Sequence, residues 1–440
     1  MNRSIKLIFI FILIATIYSA FLISSSLKIG KVYRKIEQKE IIEKKQEIPR
    51  IYFTGDITNM YKETGERQIK IKYKSKNNTF EKYATLKVQG NSSAYYEKKN
   101  YIIKFFNDET YLKKFKVNLG WGNESKYVLK ANWIDKTHTR NIASANIISQ
   151  VQKKYNLFMG TPNNGMIDGY PVEVYVNNNF HGLYTLNIPK DEWLFNMDDK
   201  NPNHIMFASE GWKPTNMFME EANFYDWECQ VGEQTDETLK KFNRLMDFII
   251  NSTDKEFKKN IHNYINIDAA INYYVLTQTL HIADNVGKNL LMITYDGKIW
   301  YPSLYDLDTA FGTYFNGEEE SSFDSILNMD SNNLFKRLND NFSNEIADRY
   351  FELREDILTE KNINNEIDNF YNSISKDSLK KEKNKWGENI PGFDVNQMKT
   401  FMKNRLPVID NYMKAKYTKA KICTNNNSTY CNQFNNKEKL

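Results

Sequence analysis

The segment from His281 to Gly312 carries four side chains whose oxygen atoms suit metal chemistry. Asp284 and Asn289 lie in a short polar stretch, and Asp306 and Asp308 follow two apolar, β-rich runs. Carboxylate and carboxamide oxygens are hard ligands, and Mg²⁺ in proteins commonly takes one or two carboxylates together with phosphate oxygens of a substrate. These residue types therefore predict a divalent cation bound beside a phosphorylated ligand.

A β-hairpin is the element that must bring these side chains together. The runs Leu290–Tyr295 and Lys298–Tyr301 have β-forming composition, and the Asp-Gly pair at 296–297 suits a tight type I′ turn. Because the strands of a hairpin are antiparallel, the residues that flank it face one another. The alternative is that Asp-Leu-Asp at 306–308 only caps the turn that follows it.

The order of the four residues is that of a protein kinase site. In such a site a catalytic-loop Asp is followed five residues later by an Asn that holds a metal, and a further Asp after a hairpin holds the metals. Asp284 and Asn289 have that spacing, and both Asp306 and Asp308 fit the position after the hairpin. The sequence predicts phosphoryl transfer and leaves open which of the last two is the principal ligand.

Hydrophobic periodicity predicts an α+β fold with a β-rich lobe at 50–195, a connector at 196–234 and a helical lobe at 235–416. The connector has weak periodicity and aromatic and acidic character; a cleft wall or lid is the alternative, but we expect a plain connecting subdomain there, without catalytic residues. The predicted strands are Gln68–Tyr73, Ala84–Gln89, Tyr101–Phe106, Lys126–Lys130, Val172–Val176 and Phe180–Leu186. The predicted helices are Arg140–Lys154, Leu239–Ile250, Ile267–Leu280, Asn344–Thr359, Ile363–Ser375 and Val395–Met413, the last with Arg405 among its solvated charges.

Composition favours a folded protein and argues against nucleic acid as a partner. Of 440 residues, 41% are hydrophobic and 14% aromatic, enough apolar surface to form substantial cores. The chain has 60 basic and 55 acidic residues, and ten of the basic and four of the acidic ones lie in the first fifty. The remainder therefore sums to 50 minus 51, or −1, and lacks the basic surface that nucleic-acid binding requires.

The amino-terminal segment, residues 1–27, predicts a membrane anchor or a long signal peptide. Residues 7–27 carry no charge and are long enough to cross a bilayer core of about 30 Å. We favour a single-pass anchor, followed by a charged juxtamembrane linker at 28–49; the side of the membrane stays open because the basic bias is weak evidence. The polar tail at 417–440 is expected to fray.

Cysteine usage predicts neither a disulfide framework nor a zinc site. Cys229, Cys423 and Cys431 are odd in number and have no metal-binding spacing. No disulfide-linked partner is expected.

Two further segments suit phosphate binding. Gly90 precedes Asn91, Ser92 and Ser93 in a small-residue turn after a strand, where backbone N–H groups can point at phosphate oxygens, although most such turns are ordinary. Lys104 and Lys130 lie on strands from which an ammonium group can neutralise phosphate charge.

Arg140 and Glu173 are the remaining charged candidates. Arg140 begins a helix, a place that favours anions, but a salt bridge with Asp135 across the strand-to-helix connection is an equal alternative. Glu173 lies within a strand, either paired with a phosphate-binding Lys or on the solvent face.

Taken together, these segments resemble the CotH family, spore-coat-type proteins with an atypical protein-kinase fold. The resemblance covers about residues 50–415 and rests, in order, on QGNSSAYYEKKNYIIK, VLKANWIDKTHTRN, VEVYVNNNFHGLYTL, HIADNVGKNLLMI and LYDLDTAFG. It departs from the family at Asn187, where an acidic residue is common, and at Tyr305, where Trp is common.

The resemblance implies a two-lobed kinase-like fold that binds ATP with Mg²⁺ in a cleft between lobes. It implies transfer of the γ-phosphoryl group to Ser/Thr-rich segments of a protein substrate, such as a spore-coat or cell-envelope protein, with Asp284 as the catalytic residue. The implied metal ligands are Asn289, Asp306 and Asp308, and the implied ATP-binding residues are Asn91, Ser92, Ser93, Lys104, Lys130, Arg140 and Glu173.

Two other function classes remain. The predicted anchor and the abundant Tyr and Asn suit a non-catalytic coat or cell-surface adhesion protein with the same fold. Hydrolysis of a phosphate ester or glycan at the Asp cluster lacks a separate general acid.

Overall fold

The computed structural model describes residues 48–210, 217–387 and 394–416. Contacts divide the chain into two compact units, Met1–Ile48 and Pro49–Leu440, and all the elements below belong to the second. The predicted anchor and linker, and the tail from 417 onward, lie outside the described residues. No helix within the described ranges combines the length and apolar character needed to cross a membrane.

Seven strands of the amino-terminal half form a closed barrel. Antiparallel pairs connect the barrel in the order β1-β2-β3-β4-β7-β9-β8, and a parallel pair between β1 and β8 closes it, with Arg50 opposite Glu173. A separate short ribbon joins β5 to β6. The strands are β1 Arg50–Thr54, β2 Arg67–Lys74, β3 Thr79–Gln89, β4 Asn100–Phe106, β5 Val117–Asn118, β6 Asn123–Glu124, β7 Lys126–Lys130, β8 Gly169–Val176 and β9 Asn179–Asn187.

Alternation of residue types explains why these segments pair. In β2 the apolar Ile69, Ile71 and Tyr73 are buried while the basic residues between them are exposed, because side chains on a strand point alternately to opposite faces. The β8–β9 hairpin turns at Asn177 and Asn178, whose φ angles of 49° and 66° are the pair that a type I′ turn needs. The predicted strands of this region are confirmed, although closure into a barrel was not predicted.

A second, four-stranded sheet carries the predicted hairpin at its edge. Its order is β11-β10-β12-β13, with Leu290 opposite Leu304 in the hairpin. The strands are β10 Ile205–Ser209, β11 Trp227–Val231, β12 Leu290–Thr294 and β13 Tyr301–Leu304. The expected connector therefore contains two strands that extend the hairpin into a sheet.

The predicted two-residue turn of this hairpin is wrong. The strands are separated by residues 295–300, and a carboxylate oxygen of Asp296 accepts the N–H groups of Lys298 and Ile299. Trp300 is fully buried against Phe242, with ring centroids 4.7 Å apart. Packing of this indole and the Asp side-chain turn together shift the second strand past the predicted start at Lys298.

The remainder is mainly helical. The helices are α1 Arg140–Lys154, α2 Asp236–Asn251, α3 Asp254–Asn260, α4 Ile267–Leu280, α5 Asn333–Asp356, α6 Glu360–Tyr371, α7 Lys376–Trp386 and α8 Asn396–Lys416. Helices α1 and α4 have the predicted bounds. Helix α5 begins well before the predicted Asn344 because it continues through a kink at Phe342, and α3 and α7 were missed because they are short and polar. The α+β class is confirmed, whereas a kinase-like arrangement of two lobes stays a prediction.

Candidate active site

One cleft of about 300 Å³ brings most of the predicted site residues together. Its carboxylate wall consists of Asp284 and Asn289 from the loop after α4, and of Asp306 and Asp308 from the end of β13. The glycine turn, residues Gly90–Ser93, lies between β3 and β4 and also lines the cleft. The hairpin therefore places its flanking residues in one cleft, as the spacing predicted.

The backbone of the carboxylate wall is held by two buried asparagines. Asn141, in the first turn of α1, accepts the N–H of Leu307 at 3.1 Å through Oδ1. Asn285 donates from Nδ2 to the carbonyl of Tyr305 at 3.0 Å, and so connects the Asp284 loop to the strand end. These two side-chain-to-backbone contacts fix where the carboxylates lie, and Nδ2 of Asn141 also reaches Oδ1 of Asp306 at 3.5 Å.

Two members of the wall have a strained backbone. Asn289 and Asp306 have φ angles of 60° and 55°, in the left-handed region that L residues rarely adopt. Strain of this kind persists where the surrounding structure enforces it and often marks functional sites.

Lys130, at the end of β7, is the principal cation of the wall. Its Nζ lies 3.1 Å from Oδ1 of Asp306, and only 10% of its side chain is exposed. Burial would lower the pKa of Lys130, but the charge of Asp306 outweighs it and the pKa is raised. Burial likewise acts to raise the pKa of Asp306, but Lys130 dominates and the pKa is lowered, so this pair is ionised.

The other two carboxyl groups behave in the opposite way. The pKa of Asp308 is raised well above its ordinary value, first by burial and then by the negative charge of Asp306. The pKa of Asp284 is raised for the same two reasons, in part against Lys288. The cleft thus has more acidic groups than Lys130 can pair with. A bound cation would favour the ionised forms of Asp284 and Asp308.

The residues present fit a magnesium ion that is shared with a ligand. No group of three His, Cys, Asp or Glu side chains within the described ranges is arranged as a metal site, so the wall is not a self-sufficient metal cage. Mg²⁺ needs only one or two carboxylates when phosphate oxygens supply other ligands, and Asp306 and Asp308 provide two. Asn289 supplies a third oxygen on the same wall.

The glycine turn needs its glycine. Gly90 has a φ of 110°, and a Cβ atom there would lie 1.9 Å from Oγ of Ser93. Only a residue without a side chain lets the backbone pass so close to Ser93 and keep the turn against the cleft.

Glu210, Glu228 and Gln230, from the connector that the sequence left without a role, also line the cleft, and Glu210 contacts the glycine turn directly. Oε2 of Glu210 accepts from Nδ2 of Asn91 at 2.5 Å, and Nζ of Lys62 donates to Oδ1 of Asn91 at 2.6 Å. Burial raises the pKa of Glu210, and neighbouring Lys190 opposes that effect. The apolar run at 205–208 is a sequence signal for the strand that ends beside Glu210, although it does not predict where that strand lies.

Three predicted ATP-binding residues do not line the cleft. Lys104 is paired with Glu66 at 2.6 Å, and more than a third of its side chain is exposed. Arg140 is buried and donates to the carbonyls of Ala310 and Phe311, while its own N–H donates to Asp135 at 2.8 Å. The contact between Arg140 and Asp135, which was the alternative to phosphate binding, is therefore the one that the structure shows.

Glu173 is the third of these residues. It is 2% exposed, and it pairs with Arg50 and with Lys381 of α7. Neither partner lines the cleft. The predicted ion pair of Glu173 exists, but it connects β8 to β1 and α7 rather than orienting a lysine toward phosphate.

Comparison with protein families identifies the family of this chain. The family model described as CotH kinase protein matches residues 86–409, most of the chain, and this range includes the glycine turn, Lys130 and the whole carboxylate wall. No curated protein matches the chain significantly. The chain therefore belongs to the CotH kinase protein family.

Proposed function

We propose that this protein is a Mg-ATP-dependent protein serine/threonine kinase whose substrates are Ser/Thr-rich segments of spore-coat or cell-envelope proteins. The observation that carries the proposal is the carboxylate wall, where an ionised Lys130–Asp306 pair lies beside two carboxyl groups of raised pKa. Family membership and the glycine turn on the same cleft support it. The class of protein substrate follows only from the resemblance to the family.

Lys130 and the residues of the carboxylate wall each have a role in such a reaction. Asp284 orients the acceptor hydroxyl and receives its proton, for which a raised pKa is favourable because the best catalytic base has a pKa near the working pH. Lys130 neutralises phosphate oxygens and keeps Asp306 in place. Asp306, Asp308 and Asn289 would hold Mg²⁺, which would supply positive charge against the phosphate groups of the nucleotide.

The proposal is tested with purified full-length protein and radioactive ATP. We expect labelling of a Ser-rich protein in the presence of Mg²⁺, and losses on the order of 100-fold or more in Asp284→Asn, Asp308→Asn and Lys130→Met, since phosphoryl transfer depends on positioning and charge neutralisation. Lys72→Met is the matched control, because Lys72 lies on the barrel and pairs with Glu81 in solvent.

A second measurement separates binding from catalysis. ATP with Mg²⁺ at about 100 times its dissociation constant should stabilise a single-site binder by about 2.7 kcal/mol, which a thermal melt detects. Stabilisation without labelling would contradict catalysis and leave a nucleotide-binding protein. The absence of both would favour the non-catalytic coat or adhesion protein.

A further inference from the structure

Arg405, on α8, is a fully buried guanidinium whose donors are all satisfied by oxygen atoms. Its exposed fraction is 0%, so the expectation of a solvated charge is wrong. Nε and Nη2 donate to the carbonyls of Thr279 and Gln278 at 3.2 and 2.7 Å, and Nη2 also reaches Oε1 of Gln278. Nη1 donates to the carbonyls of Phe323 and Ser325 at 3.0 and 2.7 Å. A guanidinium has five N–H groups, and these contacts use all of them.

The first two carbonyls belong to the last turn of α4, the helix that leads into the Asp284 loop. The helix ends at Leu280, and His281 follows with a left-handed φ of 55°. Carbonyls in the last turn of a helix have no partner within the helix and favour a positive charge. Arg405 supplies both the hydrogen-bond donors and the positive charge. It therefore fixes the point from which the chain turns toward Asp284.

The other two carbonyls belong to the segment that follows Asp308. Gln278 joins this segment directly, because its Nε2 donates to the carbonyl of Leu327 and its Oε1 accepts the N–H of Leu327, each at 2.9 Å. Arg405 and Gln278 therefore connect two chain segments that leave the carboxylate wall in opposite directions along the sequence.

One face of α8 supports the same segment along its length. Gln397, Phe401 and Arg405 are four residues apart, a spacing that aligns side chains on a helix. Nε2 of Gln397 donates to the carbonyl of Gly312 at 2.8 Å, and the ring of Phe401 lies where a Cβ on Gly312 would be, within 2.3 Å.

We propose that Arg405 is a positioning residue for phosphoryl transfer, holding the Asp284 loop and the segment after Asp308 in fixed relation behind the carboxylate wall. The inference rests on the proposed kinase function. Arg405 lines no part of the cleft and acts only through these backbone carbonyls, so its effect falls on the rate of transfer rather than on nucleotide affinity.

The test compares Arg405→Met and Arg405→Lys in the full-length protein. A lysine has three donors and cannot span the five contacts. We expect kcat to fall about 100-fold in the methionine variant with KM for ATP changed less than about 3-fold, since small misplacements far from the chemistry reach that size. The lysine variant should recover part of kcat.

Arg337→Met is the matched control. Arg337 is likewise a buried arginine that binds a helix end, with Nη1 donating to the carbonyl of Ile249 at 2.6 Å, but its other contacts, Ser252 and Asp254, do not line the cleft. This variant should lower the melting temperature without separating kcat from KM. Equal effects of the two methionine variants on kcat, KM and melting temperature would overturn the proposal.

Hydrogen exchange tests the contact without relying on catalysis. In Arg405→Met, amides of residues 280–289 and 321–327 should exchange at least about tenfold faster while the barrel strands remain as in the wild type, as local opening requires. If the wild-type protein transfers no phosphate but Arg405→Met shows this exchange pattern, the proposed function fails and the structural coupling stands. Unchanged exchange in both segments would refute the coupling itself.

Discussion

The negative charge of Asp308 opposes folding, although the proposed function requires that charge to hold the cation. Its pKa is raised by burial and then by Asp306, so the folded protein binds this proton more readily than the unfolded chain does. A raised carboxyl pKa means that the stability contributed by this group increases as the pH falls through the folded-state pKa toward the unfolded-state pKa, and that it no longer changes above the folded-state pKa, where both states are ionised. Without a bound cation, the folded protein is therefore less stable with Asp308 than it would be with a neutral side chain at that position.

Asp308→Asn should consequently raise the melting temperature at neutral pH in the absence of divalent cations, by roughly 1–3 °C, although it removes activity. Wild-type protein should gain stability as the pH is lowered from 8 toward 5, and the variant should gain less. Thermal melts across this range in the presence of a chelator measure both.

Asp199→Asn is the control for this comparison, since Asp199 is exposed and surface substitutions commonly change stability by no more than about 0.5 kcal/mol. A melting temperature that falls in Asp308→Asn would contradict the argument from charge.

At the scale of residues, the sequence predicted all four members of the carboxylate wall. Asp284, Asn289, Asp306 and Asp308 are close in sequence, so one hairpin was enough to bring them together. Glu210 could not be found in the same way, because its place depends on how β10 pairs with β12.

The glycine turn is the element whose shape is most strictly limited by residue type. Gly90→Ala would place a methyl group against Ser93 in a backbone conformation that alanine rarely adopts. The turn should move away from the cleft, and KM for ATP should rise by about tenfold, equivalent to about 1.4 kcal/mol of lost binding. Steady-state kinetics over a range of ATP concentrations measure it.

Gly120→Ala provides the comparison. Gly120 also has a positive φ, of 131°, but a Cβ there meets no atom within 4 Å. It lies in the connection between β5 and β6 and does not line the cleft. Both variants carry backbone strain, so only the first should change KM, and an equal change in the two would mean that strain alone is responsible.

The β12–β13 hairpin shows which features of an element the local sequence does not predict. Its strands follow from composition, but the position of the second strand depends on Trp300, whose indole packs against α2 through Phe242. That contact joins distant parts of the chain, and no local pattern reveals it. The terminal strand pairing that closes the barrel escapes local reasoning for the same reason.

For the molecule as a whole, α7 is fastened to the barrel by a buried ion pair. Nζ of Lys98 and Oε1 of Glu382 are 2.5 Å apart, with 1% and 2% of their side chains exposed. The second oxygen of Glu382 accepts the N–H of Leu183 at 2.6 Å, and Lys98 also donates to the carbonyl of Ala131. Helix and barrel should therefore unfold together.

Glu382→Gln should lower the free energy of unfolding by about 3–5 kcal/mol, because it leaves a buried lysine without its counter-charge. Equilibrium urea unfolding of the full-length protein measures the loss. Glu81→Gln breaks the exposed pair with Lys72 and should leave the free energy of unfolding almost unchanged, because exposed ion pairs contribute little. Similar losses in the two variants would show that the buried pair does not connect α7 to the barrel.

Because β1 closes the barrel, it also limits which fragments of this protein can be expressed in a folded form. The stretch matched by the family model begins at residue 86, inside β3, and ends at 409, inside α8. A fragment with those limits would lose β1, β2 and residues 79–85 of β3. It would expose the edge of β8 and the part of β4 that those β3 residues cover to other chains, which invites aggregation. Expression of an intact domain therefore requires a start before Arg50 and an end beyond the last turn of α8.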